Sequence, residues 1–177
     1  EYYTKLIQSV PDAKIILYNF EKLCGYKFSI ECVRELVTRF PKNVIGVKDS
    51  SYNLIGKLNI KNFSILPGSE LKLLSGLQND CSGIITATCN VTAKLARKVF
   101  DDFKKNKEQT VIDKLCEVRK AFDQFNLISG LHSFLGLTDK QFLNILPTCS
   151  LLNKNDEKIL MEKLKDLDFL KTDFKAA

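Results

Sequence analysis

The chain has 177 residues, enough for one domain with a sizeable core. Hydrophobic residues make up 45% and charged residues 27%, which excludes a disordered tail, a collagen-like chain and a coiled coil. The net charge is +6, but 23 of the 27 basic residues are Lys, only 4 are Arg, and they are interleaved with acids, a pattern unlike a nucleic-acid binder.

In chain order, Glu1 to Val10 reads as the end of an amphipathic helix, with Tyr3, Leu6, Ile7 and Val10 at helical spacing. Pro11-Asp12 breaks it. Lys14 to Tyr18 (KIILY) is a continuous apolar run, expected to be a buried parallel strand. Ser29 is the expected N-cap of a helix from Ile30 to Phe40, which Pro41-Lys42-Asn43 ends. Val44 to Lys48 (VIGVK) predicts a second strand, and Asn53 to Leu58 a short helical piece. Phe63 to Leu66 predicts a third strand, Glu70 to Leu77 a helix, and Gly83 to Thr86 (GIIT) a fourth strand. Asn90 is the expected cap of a helix running to about Lys105. Helices then follow over Glu108 to Phe125, Leu127 to Leu137, Thr138 to Ile145 and Asp156 to Leu167.

Four strand–helix units followed by helices predict a parallel α/β sheet with right-handed crossovers. An open sheet and half of an eight-stranded barrel both fit this order. The expected organisation is a single domain, with the four units over 1–105 and a helical extension over 106–177 packed on them.

No apolar run approaches the roughly 20 residues needed to span a bilayer, and the opening EYYTKLIQSV carries charges and no cleavage pattern. The six Cys form no CxxC pair and the one His is His132, so neither zinc nor another metal is expected. Free, buried thiols in a reducing cytoplasm are the expectation. His132, among Leu131, Phe134 and Leu135, reads as a core or rim residue, and a Ser/His or Cys/His hydrolase is disfavoured. There is no GxGxxG and no Walker loop, hence no motif for a nucleotide or a phosphorylated ligand.

Chemistry in parallel α/β folds sits where strands end. The ends here are Tyr18-Asn19, Lys48-Asp49-Ser50-Ser51, Gly68-Ser69-Glu70 and Thr86-Ala87-Thr88. Lys48 closes an apolar run. Burial would favour its neutral amine, a nucleophile toward carbonyls; snorkelling or pairing with Asp49 would leave it an ordinary cation. Tyr18 is either a proton relay or a packed strand-end ring. Ser50 and Ser51 either bond a substrate or form a turn. Gly68-Ser69-Glu70 either holds a carboxylate against substrate or begins a helix.

The segments Ile15-Ile16-Leu17-Tyr18-Asn19, Gly25, Ile45-Gly46-Val47-Lys48-Asp49-Ser50-Ser51, Pro67-Gly68-Ser69-Glu70 and Ser82 to Asn90 occur in order, with Lys48 thirty residues after Tyr18. Together they resemble the dihydrodipicolinate synthase / N-acetylneuraminate lyase superfamily of class I, pyruvate-handling aldolases. The resemblance implies an α/β fold: the C-terminal part of a TIM (β/α)8 barrel, with units like barrel strands five to eight, and a helical extension. It implies that Lys48 forms an imine with pyruvate or a small 2-keto acid, that Tyr18 relays protons, and that Ser50, Gly68 and Glu70 contact substrate. It implies an aldolase-type lyase or synthase that needs no cofactor. Leu23 stands where the synthases carry the Arg that binds aspartate semialdehyde. A 2-keto-3-deoxy-sugar-acid or sialate-like substrate is therefore expected instead, although Leu71 replaces the second acid of sialate lyases and Glu21 replaces a usual Pro. The barrel's first half, with its carboxylate-binding motif, has no counterpart here. A half-barrel exposes sheet edges and an apolar inner face, so a homo-oligomer is expected. The alternative is a truncated, catalytically incompetent half-barrel whose main property is self-association.

Overall fold

A computed structural model describes residues 1–170; the end of the expected extension, 171–177, lies outside the described residues. The chain forms two compact units, the first Glu1–Ile85 and the second beginning at Thr86, so residue 105 lies inside the second.

The first unit follows the strand–helix order. It contains α1 (Tyr2–Ser9), β1 (Ile15–Asn19), α2 (Glu21–Cys24), α3 (Ile30–Arg39), β2 (Val44–Asp49), β3 (Ser64–Pro67), a 3-10 turn over Glu70–Lys72, and α4 (Leu73–Gln78). The three strands are parallel in the order β1-β2-β3. Leu17, Val47 and Ile65 align across the sheet on one face, each at most 6% exposed. Val33 of α3 and Leu54 join that core and are fully buried. Fully burying a side chain such as Val33 is worth about 1.5–3 kcal/mol, and this apolar stripe sets the sheet's register. Ser29 caps α3 as expected, its side chain accepting from Cys32 N.

Two expectations are corrected and one unexpected element appears. Residues 53–58 form a single turn rather than a helix, in which Lys57 N and Leu58 N both donate to Leu54 O, and Gly56 has a positive φ of 70° that ends any helical path. Gly83 to Thr86 is not a strand, so among the described residues the sheet has three strands. Gly83 has a φ of 142°, outside the extended region; Ile85 N donates to Pro67 O, and Ser82 N, just before the segment, donates to Ile65 O. The α2 turn, absent from the sequence expectation, ends on Gly25, whose φ of 64° suits glycine.

The second unit is helical: α5 (Cys89–Lys104), α6 (Ile112–Asp123), α7 (Leu127–Leu135), a 3-10 turn over Lys140–Leu143, and α8 (Lys154–Asp166). Its core includes Val99, Leu115, Phe122, Leu160, Leu164 and Phe169, all fully buried. Phe134 lies edge-on to Phe122 and stacks on Phe169. Asn90 is not the cap of α5. That helix begins one residue earlier, Thr86 Oγ1 accepts from Cys89 N, and the Asn90 amide donates back to Ala87 O. The expected helix over Thr138 to Ile145 is only the 3-10 turn, started by Asp139 accepting from Gln141 N. His132 is half-buried, its Nδ1 2.6 Å from Phe142 O. No helix among the described residues is long and apolar enough to cross a membrane.

Candidate active site

Register builds the site. Tyr18 pairs with Lys48 and Lys48 with Leu66, so the three side chains share one face of the sheet, opposite the buried Leu17–Val47–Ile65 stripe. On that face Ile16 is 44% and Tyr18 40% exposed. Lys48 is half-buried rather than buried, and its Nζ lies 4.2 Å from the centre of the Tyr18 ring. An amine at this distance from an aromatic face is held by the ring's quadrupole when charged. Strand alternation sends Asp49 to the opposite face, where its two oxygens accept from the Asn19 amide (2.7 Å) and from Leu54 N (2.9 Å).

The loops beyond the strands are tied to the same ends. Ser50 N and Ser51 N donate to Asn19 O at 2.9 and 3.2 Å, and Ser51 Oγ accepts from Glu21 N. Gly68 N donates to Asp49 O at 3.2 Å. A Cβ on Gly68 would collide with the Ser50 hydroxyl and come within 3.0 Å of Ser50 Cβ, so glycine is what lets the loops after β2 and β3 touch. Glu70 is fully buried in its 3-10 turn, behind Ser69, whose Oγ accepts from Leu71 N. Leu23 is in α2, 75% exposed.

The structure thus brings Tyr18 to Lys48 and Ser50 to Gly68 at the carboxyl ends of three parallel strands. It places Glu70 inside the protein and leaves Leu23 open to solvent. Sequence reasoning missed the buried polar residues behind the sheet. Asn19 and Asp49 are fully buried, and the Asn19 amide also donates to Asn53 Oδ1 (2.8 Å) while its oxygen accepts from Phe28 N (3.0 Å). The signal was present: each residue directly follows a site residue, and alternation must turn it inward.

Among the six Cys, Cys81 is buried whereas Cys24 and Cys149 are exposed, so the expectation of buried thiols holds for Cys81 and fails for those two. Burial, helped by the nearby charges of Asp49 and Asp80, pushes the Cys81 thiol up to about 11. Among the described residues no three His, Cys, Asp or Glu side chains gather as a metal site would need.

A parallel α/β sheet with polar strand ends and a half-buried Lys48 beside an exposed Tyr18 defines the class of an α/β protein with a strand-end site. The dihydrodipicolinate synthetase family model matches residues 1–165, and the chain belongs to that family. A 4-hydroxy-tetrahydrodipicolinate synthase of Wigglesworthia glossinidia brevipalpis is 34% identical over 96 residues, covering 51% of this chain and 32% of that protein. An uncharacterized DapA-like lyase of Halobacterium salinarum is 25% identical over 177 residues, covering 96% of this chain and 57% of that protein. The chain therefore spans between a third and three-fifths of these relatives. Among solved structures, dihydrodipicolinate synthase of Thermotoga maritima shares the fold with a TM-score of 0.82 at 19% identity, over 96% of this chain and 61% of that one. YagE, a prophage protein of E. coli K12 solved in complex with pyruvate, gives 0.75 at 19% identity, over 95% of this chain and 60% of that one.

Proposed function

We propose that the chain carries the imine-forming part of an aldolase-type lyase or synthase that uses pyruvate or a related 2-keto acid. The observation that carries this reading is the Lys48 amine, 4.2 Å over the Tyr18 ring on the exposed face of the sheet. Family membership and the pyruvate bound to YagE support it.

In this reading the neutral Lys48 amine adds to the keto carbon, and the carbinolamine loses water to give a protonated imine. Tyr18 takes the proton of the C4 hydroxyl as the C3–C4 bond cleaves and sends its electron pair into the imine, leaving an enamine and releasing an aldehyde. Protonation at C3 and hydrolysis then return pyruvate and the free amine; the synthetic direction is the reverse. The Tyr18 phenol passes protons between the carbinolamine, the substrate and solvent. Ser50 and Gly68 border the keto acid, and Glu70 shapes the turn beside them. Leu23 offers no charge for the carboxylate of aspartate semialdehyde, which favours a 2-keto-3-deoxy-sugar-acid or sialate-like substrate. A half-barrel of this kind leaves β1's outer edge and the Ile16–Tyr18 face to be covered, which supports a homo-oligomer. Self-association without turnover is the second reading, supported by that same exposed face.

The test is borohydride trapping with pyruvate, read by intact mass and peptide mapping. One pyruvate adduct on Lys48, absent in Lys48→Ala, is expected. An untrapped wild-type chain overturns the imine reading, and a chain that oligomerises without trapping pyruvate favours the second.

A further inference from the structure

We infer that Asn19 and Asp49 are positioning residues: a buried amide–carboxylate lock on the back of the sheet sets the register that holds Tyr18 against Lys48. Its catalytic consequence rests on the imine reading above; its geometric content does not.

The lock is complete. Both Asn19 amide donors are used, on Asp49 and Asn53, and its oxygen accepts from Phe28 N. Both Asp49 oxygens are used, by Asn19 and Leu54 N. The backbone oxygens of the same two residues receive Ser50, Ser51 and Gly68. Two residues therefore tie the ends of all three strands and the loops that follow them.

A fully buried carboxylate is a poor device for stability, because an apolar replacement of similar volume often serves as well. Its use is in registry. Asn19 lies opposite Asp49 only when Tyr18 lies opposite Lys48. A one-residue slip would turn one partner to the other face and break the Asn19–Asp49 bond, leaving a buried polar atom of its mate without that partner. Asp49→Asn would break the pattern without changing the size of the side chain. The native carboxylate accepts twice, so either orientation of the substituted amide points N–H at a donor.

The test needs a readout that loss of stability alone would not move. The ε-methylene of Lys48, close to the face of the Tyr18 ring, carries an upfield ring-current shift in NMR spectra, assigned by its loss in Lys48→Arg. In Asp49→Asn that shift is expected to collapse, and pyruvate trapping at saturating pyruvate to slow on the order of tenfold, the scale of a sub-ångström misplacement. Val47→Ala is the control: Val47 is fully buried on the same face and takes no part in the lock. It is expected to lower the melting temperature while keeping both shift and trapping rate. A folded Asp49→Asn that keeps the shift, or a folded Val47→Ala that loses it equally, overturns the proposal. Should Asp49→Asn fail to fold, the half-buried Asn53→Ala decides: a reduced shift supports the lock and an unchanged one overturns it. A wild-type chain that shows the shift but traps no pyruvate would sink the imine reading and leave the lock to be judged on the shift.

Discussion

Tyr18 and Lys48 would be hard to separate by removing either side chain outright, because the ring both holds the amine and carries the phenol. Tyr18→Phe separates them. The ring face remains, so the imine should still be trapped on Lys48, whereas turnover of a 2-keto-3-deoxy acid should fall on the order of a hundredfold as the relay is lost. Equal turnover in wild type and variant would remove Tyr18 from the relay. Cys81 offers a second test at this scale. Its thiol is raised to about 11, so the folded state keeps its proton after the unfolded chain has lost it. The stability this contributes is present below the ordinary thiol range and is lost as pH rises toward 11. Cys81→Ala should flatten that part of the alkaline unfolding profile; an unchanged slope would contradict the assignment. Alkylation followed by mass spectrometry should label the exposed Cys24 and Cys149 first and Cys81 last.

At the level of elements, helix starts are where local chemistry decides stability. Ser29 closes α3 by accepting from Cys32 N, and Ser29→Ala should lower the unfolding free energy by about 1 kcal/mol in urea titrations. The start of α5 is more instructive, because its N-cap, Thr88, makes no capping bond with its side chain. Asn90 looks like the cap in sequence, but Thr86 receives the Cys89 N–H. Thr86→Ala, which removes the hydrogen bond from Cys89 N just ahead of the helix, should therefore cost about 1 kcal/mol and Asn90→Ala within about 0.5 kcal/mol, and the opposite order would restore the sequence reading.

For the whole molecule the open question is what covers the sheet face that carries the site. Ile16 and Tyr18 stand exposed there, and among the described residues no strand pairs with the outer edge of β1. Exposed Ile16 and Tyr18 beside an unpaired edge favour association. Ile16→Lys places a charge on that face without touching the buried stripe. If the face mediates self-association, sedimentation velocity across a concentration series should show the variant shifted toward monomer. Identical profiles would direct attention to another surface.

The information legible in the residues before any folding is local. Four apolar runs predict four strands, three of which form, Ser29 predicts a helix start, and polar residues closing those runs predict which end carries chemistry. These signals can be read because strand burial and capping depend on neighbours a few residues away. The family, too, was legible from short motifs in order. Three features emerge only when the chain is folded. Gly83 takes a φ that keeps GIIT out of the sheet, although its composition reads as a strand. Residues 53–58 close as a turn, with Gly56 at a positive φ and Leu54 N held by Asp49. The Lys48 amine comes to rest over the Tyr18 ring because β1 and β2 pair in one register and not in its neighbours. Register and the sign of φ are set by partners distant in the chain, and hydrophobic periodicity carries no record of either.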